Sequence, residues 1–279
     1  MQSLMADEYT VAVRAHYGVD YAIKRWQPTI DVLNKEIPQH YFNLLPVLDL
    51  QEISVIAGKG EFDFLLTNPS SYVEVKNLYG ARALVTLNRK RGHTSQDRFG
   101  SVIFTHVSNK DILNIQDLED KTLIAVSNKA FGGWRVALLE MLELGFDAQS
   151  DVKEIMFTKS KTHREVVSTV YSGGADAGVV RTGWLEQMEA DGNLDMRYIR
   201  VLNNQYIFDF PFFLSTRLYP EWPFSVLKHV PDKDANLVSD TLLKIRKESV
   251  AAKSAVYIGW VKSRDYSSVQ NLMIKLKNR

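Results

Sequence analysis

An arginine at the end of a buried strand is costly unless it meets water or an anion. Arg181 stands in that position, directly after the apolar run Ala177-Gly178-Val179-Val180 and before Thr182-Gly183. The chemistry this offers is recognition of a small anion. In Ala130-Phe131-Gly132-Gly133-Trp134, the glycine pair lets a ligand approach the backbone closely, with Phe131 and Trp134 as candidate walls. In Thr67-Asn68-Pro69-Ser70-Ser71-Tyr72, a strand meets a helix start, where hydroxyls and free first-turn N–H groups favour an anion and either serine is a candidate N-cap. Arg14 closes the first strand, with His16 and Tyr17 just beyond it. His163 opens a helix, whose dipole favours the neutral ring. The candidate ligand-binding set is therefore Arg14, Tyr17, Asn68, Ser70, Ser71, Phe131, Gly132, Gly133, Trp134, His163, Arg181 and Thr182. For each segment the plainer alternative is structural: helix caps, a tight turn, or core aromatics.

Catalysis finds little to work with. The chain has no G-x-S-x-G, no H-E-x-x-H, no dinucleotide fingerprint, and no lysine after the glycine pair to make a P-loop. No His or carboxylate pair has metal-ligand spacing along the chain, so no catalytic residue, metal or cofactor is expected. Asp63 and Asp176 precede their strands and read as structural. The absence of cysteine excludes disulfides, thiolate chemistry and Cys-based zinc sites. A net charge of +1 provides no field for nucleic acid or a membrane surface, so any anion selectivity is local.

These residues need elements to hold them, and the chain supplies one pattern twice: an amphipathic helix, Gly-x-x-Asp, a short apolar run, a polar turn, and a new helix start. The first copy carries Gly60, Asp63 and Ser70, the second Gly173, Asp176 and Thr182. A run too short for a helix and bounded by turn residues reads as a buried strand. Around the first copy the periodicity predicts strand 9–15, helix 20–37, strand 40–47 and helix 50–57. A strand over 81–89, a polar loop over 91–97 and a strand over 99–107 follow. The second half reads as strand 123–127, helix 131–145, strand 154–158, helix 163–171, the AGVV strand, helix 184–190 and strand 196–202. Helical stretches over 235–252 and 267–277 close the chain. The expected fold class is α/β: two lobes joined by two crossing strands. Lobe 1 is expected over 7–100 plus 204–279 and lobe 2 over 101–203, with 1–6 a vector-derived leader. No run approaches eighteen apolar residues, so no membrane span is expected.

Several strings in this chain occur in the same order in a known family. Asn68-Pro69-Ser70-Ser71-Tyr72, Phe131-Gly132-Gly133-Trp134, the segment from Thr162 to Val167, and Val180-Arg181-Thr182 are four of them. Ser215 to Phe224 (STRLYPEWPF) and Trp260 through Leu276 complete the set. From Tyr9 to Lys277 the chain resembles the phosphonate-binding PhnD-like periplasmic proteins. It is most like the extracytoplasmic sensor region of tetrathionate-sensing (TtrS-like) two-component histidine kinases. In the phosphonate binders a Ser-Thr-Ser-Gly turn grips the ligand. Ala130-Phe131-Gly132-Gly133 takes its place here, and Leu66 stands where a tyrosine usually precedes the asparagine. Hydrogen bonds to a charged acceptor are worth about 1.5–3 kcal/mol each, so a ligand other than phosphonate is expected.

The resemblance implies a bilobed periplasmic-binding-protein-like type II fold and a non-enzymatic, periplasmic sensor domain of an inner-membrane histidine kinase, binding a small anion between its lobes and signalling by closure. The implied partners are the anion, a C-terminal membrane helix with its kinase core, and a second copy through the parent kinase; nucleic acid is not among them. The alternative is the solute-binding subunit of an ABC importer for phosphonate or a related organic anion.

Overall fold

A computed structural model describes residues 7–92 and 94–278. The expected leader, 1–6, lies outside the described residues. The chain begins β1 (Asp7–Arg14), α1 (Val19–Glu36), β2 (His40–Val47), α2 (Leu50–Lys59), β3 (Phe64–Leu66), α3 (Pro69–Tyr79) and β4 (Arg82–Arg91). It continues with β5 (Thr94–Gln96), β6 (Arg98–Phe99), β7 (Ser101–His106), β8 (Thr122–Ala125), α4 (Val136–Glu143), α5 (Ala148–Asp151) and β9 (Glu154–Phe157). Next come α6 (His163–Tyr171), β10 (Ala177–Arg181), α7 (Trp184–Ala190), β11 (Ile199–Leu202), β12 (Tyr219–Pro220) and β13 (Pro223–Val226). Last are α8 (Asp232–Lys244), α9 (Val250–Ala255), β14 (Tyr257–Lys262) and α10 (Ser267–Lys277).

Two compact units result. The first contains the described residues up to Lys90 with Ser95–Asp97 and Pro220–Gln270; the second contains Arg91–Thr94, Arg98–Tyr219 and the residues from Asn271. The segment 204–219, which the sequence reading gave to the first lobe, belongs to the second unit. Its hydrogen bonds explain the difference: Ser215 N–H donates to Ser101 O (2.9 Å), Ser215 Oγ takes Ile103 N–H (2.9 Å), and Asn203 Nδ2 donates to Ser215 O (2.8 Å).

Within each unit the same topology recurs. The first sheet runs β14-β4-β13-β3-β1-β2 with β5 added to β4, and the second runs β11-β7-β10-β8-β9. In both, a βαβαβ run sets the strands in the order second, first, third, all parallel, each pair joined by a helical crossover. An antiparallel strand then pairs with the third: β13 in the first unit and β7 in the second. In the first unit, α1 places Trp26, Ile30 and Leu33 on a core with Phe42, Phe64 and Phe224. The second sheet is covered on both faces: Leu123, Ala125 and Val179 join Trp134 and Met141, while Ile124, Val180 and Phe104 join Val166 and Leu185. That alternation is the period-two geometry of a strand, and burial on both faces is why AGVV is apolar throughout.

The two aspartates of the repeated pattern do equivalent work. Asp63 Oδ2 accepts from Thr10 N–H at 2.6 Å, and Asp176 Oδ2 accepts from Thr122 N–H at 2.8 Å and Thr122 Oγ1 at 2.7 Å. Each carboxylate thus ties the start of the third strand to the backbone of the first. Asp63→Ala and Asp176→Ala are each expected to destabilise by about 1–3 kcal/mol, because a part-buried donor loses its acceptor. Urea denaturation of the two variants checks this, and a midpoint equal to wild type for either would refute it.

Some elements differ from the sequence reading. The loop 91–97 contains β5, which pairs with β4. The stretch 235–252 is two helices, because Ile245 turns to an extended conformation (ψ 122°) with its side chain buried, and Ser249 Oγ caps α9 by accepting Ala252 N–H at 3.1 Å. Strands β13 and β14 were not anticipated. The segment YIFDFPFFLST (206–216) contains no strand among the described residues.

Candidate functional site

In the second unit, β8 and β10 are parallel neighbours, so both deliver their C-terminal ends to one edge of the sheet. The chain leaves β8 into a π-helical turn, Phe131–Arg135, that leads into α4. Arg135 N–H bonds back five residues to Ala130 O at 3.0 Å. Such wide turns are frequent at functional sites, and the first-turn amides of a helix have no intrahelical acceptor.

Both glycines of this turn are required by close approach. A Cβ on Gly132 would lie 2.7 Å from Phe99 Cε2 and 3.2 Å from Arg181 Cγ; one on Gly133 would lie 2.8 Å from Val126 Cγ2 and 3.0 Å from His163 Cε1. The turn is fixed by Ser101 Oγ, which donates to Gly132 O at 2.8 Å. Arg181, half-buried at the end of β10, carries its guanidinium 4.0 Å above the Phe99 ring. Its N–H donates to His163 Nδ1 at 3.3 Å. A ring nitrogen that accepts is unprotonated, so neutral His163 carries its proton on Nε2. The His163 ring stacks on Trp184 at 5.1 Å, and Arg91 lies 5.3 Å over the same indole.

Gly132, Gly133, His163 and Arg181 are therefore brought together in one unit, with Phe131 beside them against Phe99 at 5.9 Å. Trp134 is placed differently, only 2% exposed within the second unit's core. The Thr182 hydroxyl accepts from Gly100 N–H at 3.3 Å, and Thr182 is buried. Gly183, in the left-handed conformation at φ 82°, takes the N-cap of α7. Phe99, Arg91 and Trp184 were not anticipated. The basic run Arg89-Lys90-Arg91 at the end of a strand was the available signal, by the same reasoning that picked out Arg181. Nearby, Glu186 is pushed above the usual carboxylate range by burial, and its Oε1 accepts from Phe213 N–H at 2.6 Å.

The first unit gathers its candidates at the C-terminal ends of β1 and β3, which are parallel and adjacent. One expectation is corrected there. The N-cap of α3 is Asn68 and neither serine, because Pro69 takes the first helical position and Asn68 Oδ1 accepts from Ser70 N–H (3.0 Å) and Ser71 N–H (3.1 Å). Ser70 Oγ also donates to Asn68 Oδ1 at 2.6 Å, and Asn68 Nδ2 donates to Ser71 Oγ at 3.1 Å. These first-turn amides are thus already occupied. One position before, the fully buried Thr67 has a hydroxyl with no partner among the described residues.

Arg14 Nη1 donates to Val47 O at 3.2 Å; burial pulls its pKa down, and Asp49 partly offsets that. Tyr17 is exposed, edge-on to His16 at 4.6 Å. Two arginines the sequence reading passed over also matter. Arg25 donates to Ala255 O at 2.8 Å, and its pKa is lowered to about 10 by burial and then by repulsion from Arg89. Arg89 lies 3.2 Å from the fully buried Glu221 and 5.7 Å over Trp222.

The residues STRLYPEWPF and the stretch from Trp260, distant in sequence, meet at the Glu221 backbone. Tyr266 Oη donates to Glu221 O at 2.6 Å, and Thr86 Oγ1 lies 2.9 Å from the same hydroxyl. Both strings are structural where they meet.

The profile of the family described as "ABC transporter, phosphonate, periplasmic substrate-binding protein" matches residues 11–267. Among curated proteins, the chain is 27% identical over 270 residues to the tetrathionate sensor histidine kinase TtrS of Salmonella typhimurium strain LT2, covering 96% of this chain and 43% of that protein. The chain thus spans less than half the length of this relative. Among solved structures, XAC2383 from Xanthomonas citri bound to ATP superposes with a TM-score of 0.73 at 14% identity, covering 96% of this chain and 95% of that one. PhnD1 from Prochlorococcus marinus MIT 9301, in complex with methylphosphonate, gives 0.69 at 14% identity, covering 98% and 99%. At these identities the structures show the fold, a two-lobed periplasmic-binding-protein architecture.

Proposed function

Since the chain belongs to the family of periplasmic substrate-binding proteins of phosphonate ABC transporters, a family that binds rather than transforms its ligands, we propose that it is the extracytoplasmic sensor domain of a two-component histidine kinase and recognises a small anion. The observation that carries the anion is Arg181, placed with His163 and the Gly132-Gly133 turn at one sheet edge. The sensor role rests on the match to TtrS along 96% of this chain.

In this reading Arg181 supplies the charge and a forked pair of donors, neutral His163 supplies its Nε2–H, and the first-turn amides of the glycine turn supply backbone donors. Arg14, Tyr17, Asn68, Ser70 and Ser71 are proposed as the first unit's contribution, with Asn68 giving up its cap bonds as it engages the ligand. The anion favours a closed arrangement of the two lobes, and a signal requires that it bind that state better than the open one. α10 passes the change to a membrane-attached kinase core on the other side of the inner membrane, and the parent kinase pairs two copies. No helix of the described residues is long and apolar enough to cross a membrane, so the proposed anchor lies outside them.

Calorimetry of the chain against tetrathionate, thiosulfate, methylphosphonate and acetate tests the ligand class, with small-angle scattering on the same samples to read compaction. The expected result is saturable binding of a sulfur oxyanion together with a smaller radius of gyration. Binding of methylphosphonate alone would refute the ligand class and favour the importer subunit, the reading that the family's description and the PhnD1 likeness support. Binding of none of the four would remove the anion reading.

A further inference from the structure

At the N-terminal edge of the first sheet, opposite the edge that carries the ligand candidates, three side chains from distant parts of the sequence converge. Asp7 and His40 are register partners at the starts of β1 and β2, and Asp234 lies in the first turn of α8. Their candidate ligand atoms all lie within 4.8 Å of one another.

The hydrogen bonds assign the imidazole tautomer. His40 Nε2 lies 3.0 Å from Asp234 Oδ1, while Asp234 Oδ2 accepts from Tyr9 Oη at 2.9 Å. An ionised carboxylate only accepts, so Nε2 carries the proton, and in the neutral ring Nδ1 then carries the lone pair. The His40 side chain is 8% exposed, and its buried Nδ1 makes no hydrogen bond among the described residues. What it faces is Asp7 Oδ2, 3.6 Å away. Two acceptors thus oppose each other and call for a cation between them. A proton on Nδ1 fits poorly, because 3.6 Å is beyond hydrogen-bond length. A metal ion fits well: bonds of about 2.0–2.1 Å at a tetrahedral centre set neighbouring ligands about 3.4 Å apart.

We infer that His40 Nδ1 and the Asp7 carboxylate bind a divalent transition-metal ion of the zinc class, with Asp234 holding the imidazole from behind. A carboxylate backing a metal-bound histidine is the usual outer-shell arrangement, fixing the tautomer and raising ligand basicity. An imidazole ligand selects zinc-like ions over magnesium and calcium, which prefer all-oxygen sites. The Asp7 side chain is 68% exposed, giving the ion an entry path and leaving its remaining positions to water. Once bound, the ion links the starts of β1 and β2, and through Asp234 it braces them against α8.

The test is calorimetric titration of the metal-stripped chain with Zn²⁺, with thermal unfolding in Zn²⁺ and in EDTA. One site and a Zn²⁺-dependent rise in melting temperature are expected. His40→Ala should abolish both, and Asp234→Asn should weaken affinity about 10- to 100-fold. Asp7→Asn, on an exposed side chain that the fold does not need, should weaken it at least about 10-fold and keeps the test valid if His40→Ala fails to fold. Absence of Zn²⁺ binding by the wild-type chain, wild-type affinity in Asp7→Asn, or an equal response to Mg²⁺ would each overturn the assignment.

Discussion

Arg181→Ala is expected to reduce affinity for the bound anion by at least about 100-fold, because two charge-assisted hydrogen bonds at about 1.5–3 kcal/mol each are lost together. The side chain is held in place. The backbone N–H of Arg181 is spent on His163 Nδ1, the guanidinium rests on the Phe99 face at 4.0 Å, and the stem passes the Gly132 backbone. A planar fork so packed loses little entropy on binding, whereas a lysine keeps the charge and loses the fork. Arg181→Lys should therefore fall between alanine and wild type. Calorimetry with tetrathionate, the first of the proposed ligands, measures the loss, and a thermal melt run in parallel separates it from unfolding. Affinity unchanged in Arg181→Ala would take this residue out of the site.

The largest loss of stability is expected from Glu221→Ala. Glu221 is fully buried, and its carboxylate lies 3.2 Å from Arg89 and accepts from Trp222 N–H at 3.1 Å. Arg89 is itself only 12% exposed, so removing the carboxylate strands a desolvated cation. Breaking a buried pair in this way costs about 3–5 kcal/mol, roughly 10 °C in melting temperature for a chain of this size. Arg25 sharpens the effect, because its charge already repels Arg89 across the same region. The double variant Glu221→Gln with Arg89→Met, which removes both charges, should recover much of the loss. Differential scanning calorimetry of the two variants decides the matter, and a melting temperature within a degree or two of wild type for Glu221→Ala would refute it.

Much of the fold could be read directly from the residues. The helix α6, which opens at His163, and α7, which opens at Trp184, begin and end where the periodicity places them, because each has a strong stop and a buried face. Strand β2 was read to the residue for the same reason. β13 and β14 were missed because their pairing partners lie more than a hundred positions away, and a four-residue strand such as PFSV carries no period of its own. The break at Ile245 was missed because burial of that side chain outweighs the helical spacing on either side.

The candidate site divides along the same line. Arg181, His163 and the glycine pair announced themselves locally, since a charge after an apolar run or two glycines before a helix is unusual wherever the chain goes. Serine as the cap of α3 was a sound local reading, yet Asn68 holds the position, because proline at the first helical residue shifts the cap back by one. Trp134 looked like a wall and is core, a distinction that depends on which way a helix is rotated against its sheet.

From the residues alone, then, came the α/β class, the repeated unit with its paired aspartates, and Arg181 as a charge at the end of a buried strand. Each of these is a matter of local spacing and the cost of burying charge. Tertiary structure decided which polar groups remain available. Glu221 with Arg89, and Asp7 with His40 and Asp234, are separated along the chain by 132, 33 and 194 positions. Only strand pairing and helix packing bring such groups within reach of one another, and no linear pattern encodes that proximity.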